Sequence, residues 1–419
     1  MKKILICAAI LCSACSDTTD SANSKIAINV SVFNDHSTAL QSHLSQINNV
    51  IDNDYSVITK SSSTWGDHHN NIESEIQTNT PTNAIYFVDS SFTTKFLDSD
   101  FFEPLDDIVA LDEFSDYATQ FTQINGSQML LPIDKSVALS YYRRDVLDQL
   151  SEPVTLPLSS WDDFIELGIT LKNELGNKLV NNADLIPFMI IENNIPSGEQ
   201  VFYDANRDPV LTSDRFVNAF NVYKDIVDND LNLNTGMWNK DWYDSLNDGK
   251  AAFEIGANWL AAHLESWIAV NESGKWGVTT LPENHYASMA GVYIGVAKNI
   301  DDDIKTQSKE VLKVLLTQSV QLADYENFKI HPSLNSAYNS AELSQASAYL
   351  GGDNLLSLVA QSSNLIEPHV PSPVNYVAET ALYDALADIE SGISVSVALQ
   401  NAEDAVLLNT AYIDWKNEQ

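Results

Sequence analysis

The stretch from residue 26 to residue 88 limits the possible folds more than any other part of the chain. Residues 26–33 (IAINVSVF) alternate apolar and polar side chains, as a strand with one buried face does. Leu40, Leu44, Ile47 and the pair Val50 and Ile51 then recur at helical spacing. A second strand is expected at 55–59, a loop at Trp65, Gly66 and Asp67, a helix carrying Ile72 and Ile76, and a third strand at 84–88. Strands that alternate with helices pair in parallel through crossovers, so this is an α/β pattern with a doubly wound sheet. At 419 residues the chain exceeds what one hydrophobic core serves, and two domains are expected.

Charge and cysteine usage narrow the setting. Acidic residues number 58 against 22 basic ones, for a net charge of −36. That balance argues against nucleic acid and anionic membranes as partners, and suits either a well-solvated surface or a cationic ligand. All three cysteines, Cys7, Cys12 and Cys15, lie within the first fifteen residues, so the globular body has no disulfide to form. A basic head at Lys2 and Lys3, an apolar run at 4–11 and small residues before Cys15 read as a signal peptide over 1–14. The apolar run is too short to span a bilayer. Leu11-Cys12-Ser13-Ala14-Cys15 resembles a bacterial lipobox, which implies lipidation of Cys15 and a polar tether over 15–24.

Beyond residue 130 strands are expected at 137–142, 188–191, 251–255, 276–281 and 292–298. The strand at 251–255 is expected to be closed off by Gly249 and Gly256. Ser160 and Asp163 have the spacing of a helix N-terminal capping box. Helices are expected at 164–175, 216–228, 309–316, 355–361, 377–389 and 395–408. Asp204, Asn206 and Asp208 open like a calcium loop, but Pro209 stands where glycine is needed and Arg215 where the last Glu belongs, so 203–211 reads as a hairpin. His68 and His69 find no third ligand at a convincing spacing and read as surface residues. No nucleophile elbow, HExxH or phosphate loop is present. The reading is of a binding protein without catalysis, cofactor or metal.

Four landmarks, in order, resemble the solute-binding proteins of carbohydrate ABC importers, the maltose-binding-like family. They are Leu131 to Leu147 (LPIDKSVALSYYRRDVL), Ser160 to Phe164 (SWDDF), Asn247 to Phe253 with Gly256 and Trp259, and Trp276 to Pro282 (WGVTTLP) followed by Ala290, Gly291 and Val292. The resemblance implies two doubly wound α/β lobes joined by a multi-segment hinge, the type II periplasmic binding fold. The lobes would comprise 25–133 with 291–337, and 134–290 with 338–419. Crossings are expected near 134–139, 283–291 and 332–338. It further implies a carbohydrate ligand, ABC permease transmembrane subunits as partners, membrane contact through lipidated Cys15 only, and a monomer outside the cytoplasm.

Ligands of open α/β sheets bind beyond the carboxyl ends of strands, which nominates the loops that follow them. Trp259, matched by motif, would stack on a sugar ring; Trp65 and Trp238 join it, while Trp161 and Trp242 are expected to pack. Asn34 and Asp35 follow the first strand and Asp89 the third; carboxylates accept from paired hydroxyls. Ser136 falls at a hinge position, Asn193 ends the run at 188–191, Gly291 permits close backbone approach with Tyr293 after it, and Tyr376 starts a late helix.

Overall fold

The computed structural model describes residues 25–418 except 98, 121, 342–344, 370 and 371. The signal segment, the tether and Cys15 lie outside the described residues. In chain order the strands are β1 (Ile26–Val32), β2 (Tyr55–Ser61), β3 (Ile85–Asp89), β4 (Gln123–Ile124), β5 (Ser127–Gln128), β6 (Leu131–Pro132), β7 (Ala138–Arg143), β8 (Lys178–Val180), β9 (Ala251–Ala257), β10 (Trp276–Thr279) and β11 (Val292–Val296).

Apart from the β4–β5 hairpin they form two sheets. The first runs β2-β1-β3-β11-β6, with β1 parallel to β2 and β3, and β11 antiparallel to β3 and β6. The second runs β10-β7-β9-β8, with β7 antiparallel to β10 and β9, and β8 parallel to β9. Each lobe is thus an α/β layer structure, and the fold is the two-lobed type II form. In each sheet the strand that runs against its neighbours follows a crossing from the other lobe. β11 begins at Val292 beside Asp89, the end of β3. β7 begins at Ala138 beside Ala257, the end of β9. Both crossings therefore lie at strand carboxyl ends, where such sheets bind ligands.

The crossing segments are laced together. The Lys135 amide donates to the His331 carbonyl (3.1 Å) and the Ala138 amide to the Ala287 carbonyl (2.9 Å). Asp134 Oδ1 accepts from the Val292 amide at 2.6 Å. We propose that the lobes divide at these crossings. The segment after the third serves both sides: Leu356 packs with Leu334 and Ala337 of the first lobe, while Tyr349, Leu350 and Val359 pack with Trp276 of the second.

Central strand β9 is buried along its whole length, as a strand covered on both faces is. Its charged residue, Glu254, accepts from Trp242 Nε1 (2.9 Å) and Asn181 Nδ2 (2.8 Å), and burial pushes its carboxyl up to about 7. Gly256 does not end this strand; it lies inside it, where its missing side chain leaves room for Leu260. Gly249 does end an element. It caps helix Lys240–Asp248 at φ 65°, and a Cβ there would come within 2.8 Å of the Arg143 guanidinium.

Three local expectations are corrected. Residues 188–191 belong to helix Ile186–Ile191, because a short unbroken apolar run has no period to separate a buried helix from a buried strand. Trp65 to Asp67 are the first helical turn of Trp65–Thr78, with the Thr64 hydroxyl accepting from the Asp67 amide. His68 and His69 are buried rather than on the surface. The hairpin at 203–211 forms, with Asp204 Oδ1 accepting from the amides of Asn206 and Asp208, both at 2.8 Å.

Candidate functional site

The wall contributed by the first lobe is a closed hydrogen-bond circuit. Trp65 Nε1 donates to Asp89 Oδ2 at 3.2 Å. The Asp89 amide donates to His69 Nε2 at 3.0 Å, and His69 Nδ1 returns a bond to the Trp65 carbonyl at 2.9 Å. This fixes the His69 tautomer, with its proton on Nδ1. Burial lowers the His69 imidazole's proton affinity, and that of His68 to about 4. Asp89 also takes the amide and hydroxyl of Ser91. Asn34 and Asp35 open helix Asn34–Ser42 beyond β1, both exposed, with Asn34 at φ 49°.

The wall contributed by the second lobe is aromatic. Asn258, just past β9, is clamped to the hinge: its Oδ1 accepts from the Val137 amide (2.8 Å) and its Nδ2 donates to the Lys135 carbonyl (3.0 Å). Trp259 follows and is half-buried. Trp238 stacks on it at 5.4 Å between ring centres and 26° between planes. Trp238 is 51% exposed, while Trp242 beneath it is fully buried. One face of Trp259 is thus covered by protein, and the open ring of the pair is Trp238.

The floor is the hinge. The Ser136 hydroxyl donates to the Met289 carbonyl, so it ties two crossings together instead of pointing freely into the cleft. Asp134 Oδ2 meets His36 Nε2 at 3.1 Å. Gly291 sits at φ 127°, a conformation only glycine holds comfortably, and a Cβ there would find ordinary contact distances; its demand is conformational rather than one of close approach. Glu192 Oε2 accepts from the Ser288 amide at 3.0 Å, and burial, with a smaller contribution from Glu379, pushes its carboxyl up to about 8. Burial also raises the Glu379 carboxyl. The lobes meet at two rims. Lys95 Nζ lies 5.7 Å from the Tyr376 ring, and Asp35 acts electrostatically on His263.

These positions bring Asn34, Asp35, Trp65, Asp89, Trp238, Trp259 and Tyr376 to the walls and rims, with Ser136 and Gly291 in the floor. Tyr293 is buried in β11 within the aromatic cluster of Tyr86, Phe96 and Phe101, although Asp134 and Asp89 both act on its hydroxyl. Asn193 is turned away: its Oδ1 takes the Tyr286 amide (2.9 Å), its Nδ2 donates to Met189 (2.8 Å), and it lines a separate pocket with Trp161, Arg215 and His285. Its neighbour Glu192 faces the floor instead. Sequence reasoning overlooked Glu379 and His263. Each had a signal: Glu379 shares a helical face with Tyr376 and Tyr383, and His263 follows Trp259 by four residues.

The family model described as bacterial extracellular solute-binding protein matches residues 51–350. The lactose-binding protein of Rhizobium radiobacter is 24% identical over 187 residues, a match that spans 43% of this chain and 43% of that protein's length. The solved sugar-binding protein MalE from the phytopathogen Xanthomonas citri is 13% identical, with a TM-score of 0.79 over 94% of this chain and 100% of that one. The galacto-N-biose-/lacto-N-biose I-binding protein of the ABC transporter from Bifidobacterium longum, in complex with lacto-N-biose, is 15% identical, with a TM-score of 0.74 over 92% and 96%. At such identities the structures establish the fold, and the family match covers most of the sequence. The chain belongs to the bacterial extracellular solute-binding protein family.

Proposed function

We propose that the protein is the lipid-anchored substrate-binding component of an ABC importer, which takes a neutral sugar or oligosaccharide into the interlobe cleft and delivers it, unreacted, to the permease. The observation that carries this reading is the open Trp238–Trp259 pair at the end of β9, across the cleft from polar groups of the first lobe. A pyranose offers a face of C–H groups to such rings and hydroxyls to Asp, Asn and backbone partners. The sugar-binding relatives point the same way.

A cationic ligand such as a polyamine is the second reading, favoured by the acidic composition. It fits the cleft less well. Asp89 is tied to Trp65 and Ser91, and Asp134 to His36 and the Val292 amide, which fixes both for directed hydrogen bonds. Glu192 is buried, which pushes its carboxyl up to about 8, and it already accepts from the Ser288 amide. An acidic sugar lacks a free partner in Lys135, whose Nζ is held by Asn335 Oδ1 at 2.8 Å and lies over the Tyr338 ring.

A thermal-shift and calorimetry panel of neutral sugars, uronates and polyamines, run at low and high salt, tests the reading. Stabilisation by neutral sugars with little salt dependence is expected. Stabilisation by polyamine alone overturns it. The anchor is tested separately: Cys15→Ser should release the protein from membranes.

A further inference from the structure

The aromatic surface does not stop at the cleft. Trp259, His263 and Trp267 follow one another at four-residue spacing and share a helical face. His263 lies 5.5 Å from Trp259 and 5.7 Å from Trp267, centre to centre. Tyr243 packs edge-on to Trp267 at 5.0 Å and lies 5.5 Å from Trp242, which closes the path back to Trp238. Trp267 is 48% exposed, yet it is not loose: its Nε1 donates to His263 Nδ1 at 3.0 Å. It stands on a π-helical turn, Leu264–Ile268, a rare geometry that occurs frequently at functional sites.

We infer that this surface is an outer subsite, in which Trp267 and Tyr243 take the further units of an oligosaccharide whose first units sit between Trp238 and the first lobe. The inference rests on the carbohydrate reading above and deepens it: the physiological ligand is a chain of sugar units that emerges past the Asp35–His263 rim. Three features select this occupant. The ring path is continuous with the cleft pair, so a ligand on one reaches the other. Tryptophan, tyrosine and neutral histidine each pair an apolar face with a polar edge, which matches the alternation of C–H faces and hydroxyls along a glycan. The strong negative charge of the chain disfavours an anionic lipid surface.

The test uses ladders of defined glucose, galactose and xylose oligomers, from one unit to six, titrated into the full mature chain and into Trp267→Ala, Trp267→Tyr and Tyr243→Ala. Affinity is expected to rise about tenfold or more between short and longer members of the ladder that binds, a rise that Trp267→Ala abolishes while short-member affinity changes by less than about twofold. Trp267→Tyr should restore most of the rise, which a merely structural role of the residue would not predict for one length class alone. Binding that is independent of length, or a ladder unchanged in Trp267→Ala, overturns the subsite and leaves the carbohydrate reading intact. If Trp267→Ala spares the ladder and impairs only uptake by the permease, the surface is a docking face and the inference is wrong. Failure of every ladder to bind sinks the carbohydrate reading, and the subsite with it.

Discussion

The two walls of the cleft are built on opposite plans. On the first lobe, Trp65, His69 and Asp89 hydrogen-bond one another in a ring before any ligand arrives. On the second, Trp238 and Trp259 meet ring on ring, and half of the Trp238 surface meets water. The first wall is preorganised, so it selects by the positions of fixed acceptors. The second provides area that a ligand can desolvate, so it supplies affinity. The pair of plans also separates stability from binding: on the second lobe the layer beneath the exposed ring, Trp242 with Glu254, carries the folding energy.

That separation makes the sharpest prediction. Trp242→Ala removes a fully buried ring and takes the donor from Glu254 Oε1, so it should destabilise the apo protein by roughly 3 to 5 kcal/mol. Chemical denaturation measures it; a loss below about 1 kcal/mol would erase the distinction between platform and support. Next in size is the pH effect of two buried carboxyls, one in the second lobe and one in the floor. Glu192 and Glu254 hold their protons more firmly when folded, up to about 8 and about 7 against an ordinary value of 4.5. Their contribution is therefore complete below about 4.5 and is lost as pH rises towards 7 and 8. Relative to Glu254→Gln and to Glu192→Gln, the parent should lose melting temperature across that window, while His68, held neutral by burial, works the other way below about 6.5.

Trp238→Ala comes third. It should weaken ligand binding by about 1 to 3 kcal/mol, tenfold to a hundredfold in Kd, with little change in apo melting temperature. Trp259→Ala should show a mixture, because its ring is half-buried under Trp238 and adjoins the hinge clamp at Asn258; equal stability losses for the two would show that the stack is simply packing. The smallest effect is expected on the first lobe. Trp65→Phe keeps the ring and deletes the bond to Asp89, which should weaken binding by about 0.5 to 1.5 kcal/mol, read by calorimetry. A larger loss would mean that Asp89 is positioned by Trp65 alone.

The opening of the first lobe was legible because periodicity carries it: the alternation in 26–32 and the helical spacing that follows leave few topologies. The two-lobed form was legible through the resemblance of the four landmarks. What failed was short or unbroken. The apolar run at 186–191 has no period, and the helix at Trp65 starts in residues that read as a loop because its cap, Thr64, precedes them by one position. The site was harder. Trp238 precedes the helix Lys240–Asp248 at φ 63°, while Trp242 lies inside it, and only the loop-like composition before the helix hints at that split. Asn193 and Glu192 show the limit: adjacent residues at a helix end face opposite ways, and no pattern states which one enters the cleft.

The order of strands in the first sheet bears on how the chain is made. β11 lies between β3 and β6, yet its residues, 292–296, follow the whole of the second sheet in the sequence. A nascent chain that has presented only β1, β2, β3 and β6 lacks the strand that joins β3 to β6, so one edge of β3 is unpaired and β6 has no neighbour in the sheet. Pairing at such separation is intrinsically slow. The first sheet is thus completed by a strand drawn from far along the sequence, and its last pairing waits on residues 292–296.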